Sequence, residues 1–294
     1  MPIRDLLLPL FTYPEPTRDK SIEAILDMAE AMSERHRPSG NNDTAVRTRV
    51  SAVIFQVQIE PGLYYEGAQF GEFMAAELRK SADSAHHLSK NFEALAKKRR
   101  CLNSSKLIEQ NIHDSFDTLV SEARLCQMTV LPVSRGNEFH RALAERTIFE
   151  SGRPVLLFPE SRIPPVQRSF SKIAVAWDGS RGASRAVGDA MPFLRRADEV
   201  RIFSATNDKK MEGSARGIEI ADKLKAEGVS ATYDEVLKDN GSTIGTFMEN
   251  YVAEHESNLL VMGAYGHSRL REFLLGGATM SVLINPPTWV MMSY

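Results

Sequence analysis

Short apolar runs alternate with helical patterns along the second half of the chain. Lys172 to Trp177 is a run of β-formers that stops at Asp178-Gly179-Ser180, which predicts a buried strand entering a tight turn. From Ser184 to Arg196 the apolar residues Ala186, Val187, Ala190 and Leu194 recur at helical spacing on one face. Val200 to Ala205 predicts a second strand, and Gly213 to Glu227 a helix stopped by Gly228. Ser230 to Leu237 alternates as a strand does, Ser242 to Glu256 is helical, and Leu259 to Met262 is a fourth strand. A short helix from Thr279 to Ile284 and a strand from Thr288 to Met292 complete the pattern. Strands separated by single helices demand right-handed crossovers and a mostly parallel sheet. The expected fold is α/β and doubly wound, with ligands taken at the carboxyl ends of the strands where strand order reverses.

The first half repeats this plan more weakly. Strands are expected at Asp5 to Phe11, Val50 to Phe55, Met128 to Pro132 and Pro154 to Phe158, with a short pairing segment near Ser105 to Glu109. Helices are expected at Asp19 to Arg35, Gly71 to Arg100, His113 to Leu125 and Glu138 to Glu150. The stretch Glu150 to Phe158 parallels Leu283 to Met291, so the repeat is one of whole domains, a tandem duplication. A domain at 1–162, a linker at 163–171 containing Pro164-Pro165, and a domain at 172–294 follow.

Composition narrows the function classes. The 294 residues are 43% hydrophobic and 25% charged with a formal net charge of −2, which is ordinary globular composition and gives no basic footprint for nucleic acid. No apolar run approaches the length of a membrane span, and the first residues lack a basic segment followed by an apolar one, so a cytoplasmic location is expected. Cys101 and Cys126 form no Cys/His cluster and read as free thiols. His86-His87 and His255-Glu256 lack the spacing of a metal site, and Ser180, Ser184 and Ser268 lack triad partners. The basic cluster Lys97 to Arg100 suits a helix end, where cations complement the dipole.

Chemistry concentrates after the fourth strand of the second half. Gly263 and Gly266 stand where a strand ends, so the backbone can turn and a ligand can approach its amides. Gly276 and Gly277 precede a helix whose first amides favour an anion, and the hydroxyl of Thr279 suits either a cap or a phosphate oxygen. A plain strand-to-helix turn fits these glycines equally, since the pattern is neither GxGxxG nor a Walker loop. Asp178 likewise reads as a turn residue or a ligand contact.

The spacing Gly263, two residues, Gly266, nine residues, Gly276 resembles the glycine signature of ATP-binding universal stress proteins. The insert His267 to Leu275 and the Asp178-Gly179-Ser180 turn are also similar to that family. The resemblance spans Lys172 to Tyr294 closely and Met1 to Arg162 only in element order. It implies an adenine nucleotide α-hydrolase-like fold and an ATP site, with Mg2+ as a companion ion, in a stress-response protein that hydrolyses ATP slowly or not at all. The implied contacts are Ala176, Asp178, Ala205, Gly263, Gly266, Gly276, Gly277, Ala278 and Thr279, with Asp178 on the ribose or metal side. Gly277 replaces the family's Ser or Thr, and Trp177 either stacks on adenine or crowds it. The first half has no Asp after its first strand and one glycine, Gly136, after its fourth, so its site is expected to be lost. Its implied role is to pair with the second half as subunits pair in family homodimers, and a homodimer of the whole chain is a further expectation. Two rivals remain: a nucleotide-independent scaffold acting through partner surfaces, and an ATPase or phosphotransferase using Arg269 and Arg271 as phosphate clamps.

Overall fold

A computed structural model describes residues 3–34, 47–58, 68–164, 170–205, 216–239, 241–264 and 277–294. By internal contacts the chain divides into two compact units, Ile3–Val130 and Leu131–Tyr294. The strand Met128–Val133 carries the chain from one to the other.

In the first unit, β1 (Asp5–Phe11), β2 (Arg49–Gln58), β3 (Leu102–Asn111) and β4 (Met128–Val133) lie in the order β3-β2-β1-β4. All neighbours are parallel, and β1 matches β2 residue for residue from Asp5↔Arg49 to Phe11↔Phe55. Strand β1 from Leu6 to Phe11 and β2 from Val50 to Phe55 are buried throughout because both their faces are covered. Three helices accompany them: α1 (Asp19–Glu34), α2 (Ala68–Lys98) and α3 (Ile112–Leu125). Asn111 caps α3 by accepting from the Asp114 amide at 2.9 Å. The edge strand β3 is longer than the expected Ser105 to Glu109 segment, and its polar, half-exposed pattern hid its length. Charges suit that edge position: Lys106 pairs with Glu122 at 2.6 Å.

The second unit holds the end of β4, α4 (Glu138–Glu150), β5 (Val155–Pro159), a 3-10 turn (Glu160–Arg162) and β6 (Lys172–Ala176). Next come α5 (Arg181–Leu194), β7 (Glu199–Ala205), α6 (Gly217–Ala226), β8 (Ala231–Val236) and α7 (Ile244–Glu254). The chain closes with β9 (Leu259–Gly263), α8 (Gly277–Ile284) and β10 (Trp289–Ser293). Strand order runs β5-β10-β9-β6-β7-β8, so β8-β7-β6-β9 repeats β3-β2-β1-β4 one for one. The chain steps from β6 towards β8 on one side and from β9 to β10 on the other, so order reverses between β6 and β9.

The pairs β10–β9, β9–β6, β6–β7 and β7–β8 are parallel, whereas β5–β10 runs antiparallel with Val290↔Leu157, Met291↔Leu156 and Met292↔Val155. All six of these side chains are fully buried. Aromatic packing closes the seam: Phe158 stacks on Trp289 at 4.8 Å between centroids, and Phe170 meets Trp289 and Phe193 edge-on. The Trp289 indole donates to the Pro164 carbonyl at 3.0 Å, and Arg162 donates to the Pro287 carbonyl. Pro164 of the expected linker, and Arg162 just before it, therefore bond to the second half.

Farther out, Tyr251 of α7 stacks on Phe203 and donates its hydroxyl to Asp234, which also pairs with Arg201 at 3.3 Å. Burial and the neighbouring Asp234 push the Tyr251 pKa up, so the hydroxyl stays a donor across the physiological range. A Cβ at Gly217 would lie 1.9 Å from the Tyr233 ring, so a larger residue there requires that ring to move.

The β5–β10 ladder generates a test. Residues 166–294 expressed alone keep β10 but lose β5, leaving an apolar edge with unpaired backbone groups. Light scattering at micromolar concentration is expected to show dimers or aggregates for this fragment and a discrete species for the full chain. A monodisperse, monomeric fragment would contradict the seam's role.

Candidate functional site

The end of β6 is built by its neighbours. Ala176 lies between Met262 of β9 and Phe203 of β7, and the Trp177 amide extends the ladder by donating to the Phe203 carbonyl at 2.9 Å. The Ser204 hydroxyl donates to the Trp177 carbonyl at 2.6 Å. Asp178 then accepts from the Ser180 amide at 2.9 Å, Gly179 takes a left-handed conformation at φ +72°, and Ser180 caps α5 through the Ala183 amide. The turn reading of Asp178 is met by the Ser180 amide, which donates to its Oδ1. Ala205 is buried at the end of β7.

On the other side of the reversal, Gly263 ends β9 level with Ser293 of β10. A Cβ at Gly263 would sit 2.4 Å from the Ala183 nitrogen and the Gly182 carbonyl carbon. One at Gly182 would lie 3.1 Å from the Ala264 carbonyl oxygen. The two glycines therefore let the first turn of α5 rest directly on the end of β9. Close helix-to-strand packing is a demand on Gly263 that sequence spacing alone did not distinguish from ligand approach. Gly266, Gly276, His267, Arg269 and Arg271 lie outside the described residues.

Helix α8 begins at Gly277, two residues earlier than the expected Thr279. Gly277 is exposed, and a Cβ there would meet Ile244 Cγ2 at 3.3 Å. A Ser or Thr at this position would press on Ile244, so α7 gives a local reason for the glycine. Ala278 is half-buried, whereas Thr279 is buried at 2% exposure and already has a partner within the fold.

Two buried polar atoms at these strand ends have no hydrogen-bond partner among the described residues: the Trp177 Nε1 and the Ser293 hydroxyl. Buried polar groups are nearly always paired, so an orphaned donor beside a strand-order reversal fits a missing acceptor. Sequence reasoning weighed Trp177 for stacking or crowding; no sequence signal announces an unsatisfied indole. Among the described residues, no cluster of three or more His, Cys, Asp or Glu gathers to hold a metal, and no helix is long and apolar enough to cross a membrane. A cavity of about 220 Å³ between α7 and α8, lined by Thr246, Glu249, Ser281 and Asn285 among others, includes no residue of β6 or β7 and is separate from the strand ends.

The same position in the first unit is filled. The Thr12 amide donates to the Phe55 carbonyl at 3.3 Å, as Trp177 does to Phe203, so Phe11 stands where the second half has Ala176. Phe11 stacks on Phe55 with centroids 4.9 Å apart and planes within 6°. Ser81 of α2 lies 2.7 Å from the Thr12 hydroxyl and donates to the Val57 carbonyl, while the Val57 amide donates to Thr12. Helix α2 is thus stitched across the ends of β1 and β2. Ser81 had no distinguishing mark in sequence, being one of several serines on a polar helix. After β4, Ser134 donates to the buried Glu160, and Gly136 with Asn137 forms a capped turn into α4.

Among solved structures, the chain is similar over 98% of its length to a universal stress protein from Archaeoglobus fulgidus DSM 4304, with 95% of that chain covered, 16% identity and a TM-score of 0.67. It is also similar to a putative universal stress protein from Pseudomonas aeruginosa UCBPP-PA14 over 99% of its length and 93% of that chain, at 14% identity and a TM-score of 0.52. A functionally unknown protein from Pseudomonas aeruginosa PAO1 matches over 99% and 92%, at 14% identity and a TM-score of 0.53. No protein-family model and no curated protein matches the chain. The fold is therefore that of solved universal stress proteins, and the sequence-level resemblance points the same way.

Packing at Gly263 makes a specific demand. Gly263→Ala is expected to lower stability by about 2 kcal/mol in denaturant titrations, because backbone on both sides blocks relaxation. A variant as stable as the parent would show that α5 is not seated on β9.

Proposed function

We propose that the second half binds an adenine nucleotide, ATP with Mg2+, at the strand-order reversal between β6 and β9, and that occupancy regulates a stress-response protein rather than driving rapid turnover. The observation that carries this reading is the difference between the two halves at one position. Phe11, Thr12 and Ser81 close the first, whereas Ala176, the Asp178 turn and an unpaired buried indole stand in the second. The residues present suit the ligand. Asp178 supplies an acceptor for a ribose hydroxyl or the nucleotide's Mg2+, and the amides of Gly277 and Ala278 begin a helix, where dipole and free N–H groups favour phosphate. Gly266 and Gly276 join them through the glycine signature, and Ala176 and Ala205 leave room at the ends of β6 and β7. Thr279 is a weaker member of the set because its side chain is buried. Slow or absent hydrolysis belongs to this reading, which assigns the site a regulatory rather than a turnover role.

On this reading the two halves are a duplicated unit that pairs through β5 and β10 as an internal pseudo-dimer, with pairing of whole chains as a further level. A cytoplasmic location accords with it. A second reading, a nucleotide-independent scaffold, draws on the contacts at Gly263 and Gly277, which give both glycines packing reasons to exist.

Gly266→Val separates the readings. A branched side chain in the glycine signature is expected to abolish ATP binding in calorimetry while circular dichroism and the melting temperature stay close to the parent's. A variant that binds ATP like the parent, or a parent that binds none, would leave the scaffold reading in possession.

A further inference from the structure

The chain has two tryptophans, Trp177 and Trp289, both buried. Trp289 sits in the β5–β10 seam, and its indole nitrogen finds the Pro164 carbonyl at 3.0 Å. Trp177, 9% exposed at the end of β6, finds nothing among the described residues. At the matching ladder position of the first half, the hydroxyl of Thr12 is engaged by the Val57 amide, the Phe55 carbonyl and Ser81. At this ladder position the unpaired donor is therefore on the second half, although Gln110 Nε2 and Thr129 Oγ1 also lack a partner among the described residues of the first. Leaving a buried N–H unmet costs about 1–3 kcal/mol, and phenylalanine would fill similar space without that cost.

Position says what kind of acceptor is missing. The backbone of Trp177 is held on the β7 side, through Phe203 and Ser204. The helix start at Gly277 follows β9, on the opposite side of the reversal. A phosphate chain directed to that helix start leaves the uncharged base for the β6–β7 side. A neutral indole N–H is suited to a neutral acceptor such as a ring nitrogen, and adds no charge that would compete for phosphate.

We infer that the indole N–H of Trp177 is a specificity donor that reads a ring-nitrogen acceptor on the base of the bound nucleotide; this rests on the nucleotide reading above. The acceptor supplies a bond that the described residues do not make to this N–H. The aromatic ring needs no change of identity to keep its packing, only its N–H for recognition.

The test uses the full chain in two arms. In the first, 15N-labelled protein gives two indole N–H signals, and saturating ATP is expected to shift one strongly while the Trp289 signal stays in place. In the second, Trp177→Phe is expected to weaken ATP binding about tenfold in calorimetry, the value of roughly one hydrogen bond, without lowering the melting temperature of the ligand-free protein. If the variant does not fold, the wild-type spectrum alone decides. Binding of ATP with neither indole signal moved, or with equal affinity for Trp177→Phe, overturns the inference and leaves the nucleotide reading standing. Absence of ATP binding to the wild type overturns both.

Discussion

One ladder, the antiparallel pairing of β5 with β10, sets the terms for the rest of the second unit. Strand β10 would otherwise be the edge of its sheet, with a fully apolar sequence on both faces and a row of unpaired backbone groups. Running β5 against it buries Leu156, Leu157, Val290 and Met291 completely and seats Trp289 between Phe158 and Phe170. Covalent linkage raises the effective concentration of β5 far above what a free partner could reach. Strands β9 and β6 lie in the interior of the sheet, with the reversal of strand order between them.

Two identical strand orders then come to different ends. In the first unit the tips of β1 and β2 are tied by stacked phenylalanines and by Thr12, Ser81 and Val57. The helix carrying Ser81 extends over 31 residues, long enough to lie across those tips. In the second unit Ala176 stands in place of Phe11, and a capped Asp-Gly-Ser turn starts α5. Hydrogen bonds tie these strand tips in the first copy, whereas the Trp177 indole at the matching position has no partner among the described residues, which is consistent with ligand chemistry kept in a single copy. The scaffold alternative gains from the glycines at 263 and 277, each of which has a steric reason independent of any ligand.

Much of the fold was legible because apolar runs of strand length alternate with helical spacing and are punctuated by Gly and Asp-Gly. Strands β6, β7 and β9 fall within a residue or two of expectation, and the matching of β5 to β10 followed from the apolar character of both. The polar edge strand β3 was underestimated, since its half-exposed residues carry no apolar signal, and α8 was begun late because Gly277 reads as a loop residue. The site was legible at its turn, in Asp178 and Ser180, where local side-chain-to-backbone bonds decide the geometry. What could not be read was the non-local part. The seat of α5 on Gly263, the pressure of Ile244 on Gly277 and the plug made by Ser81 all depend on contacts between distant residues. Likewise, an unsatisfied indole is a property of surroundings and has no signature in residue order.

The claim that one copy of the crevice is closed and the other kept for a nucleotide is most directly tested by stoichiometry. Calorimetric titration of the full chain with ATP and Mg2+ is expected to saturate at one nucleotide per chain. Saturation at two per chain would contradict the closure of the first half, and no heat of binding at any concentration would contradict the site in the second.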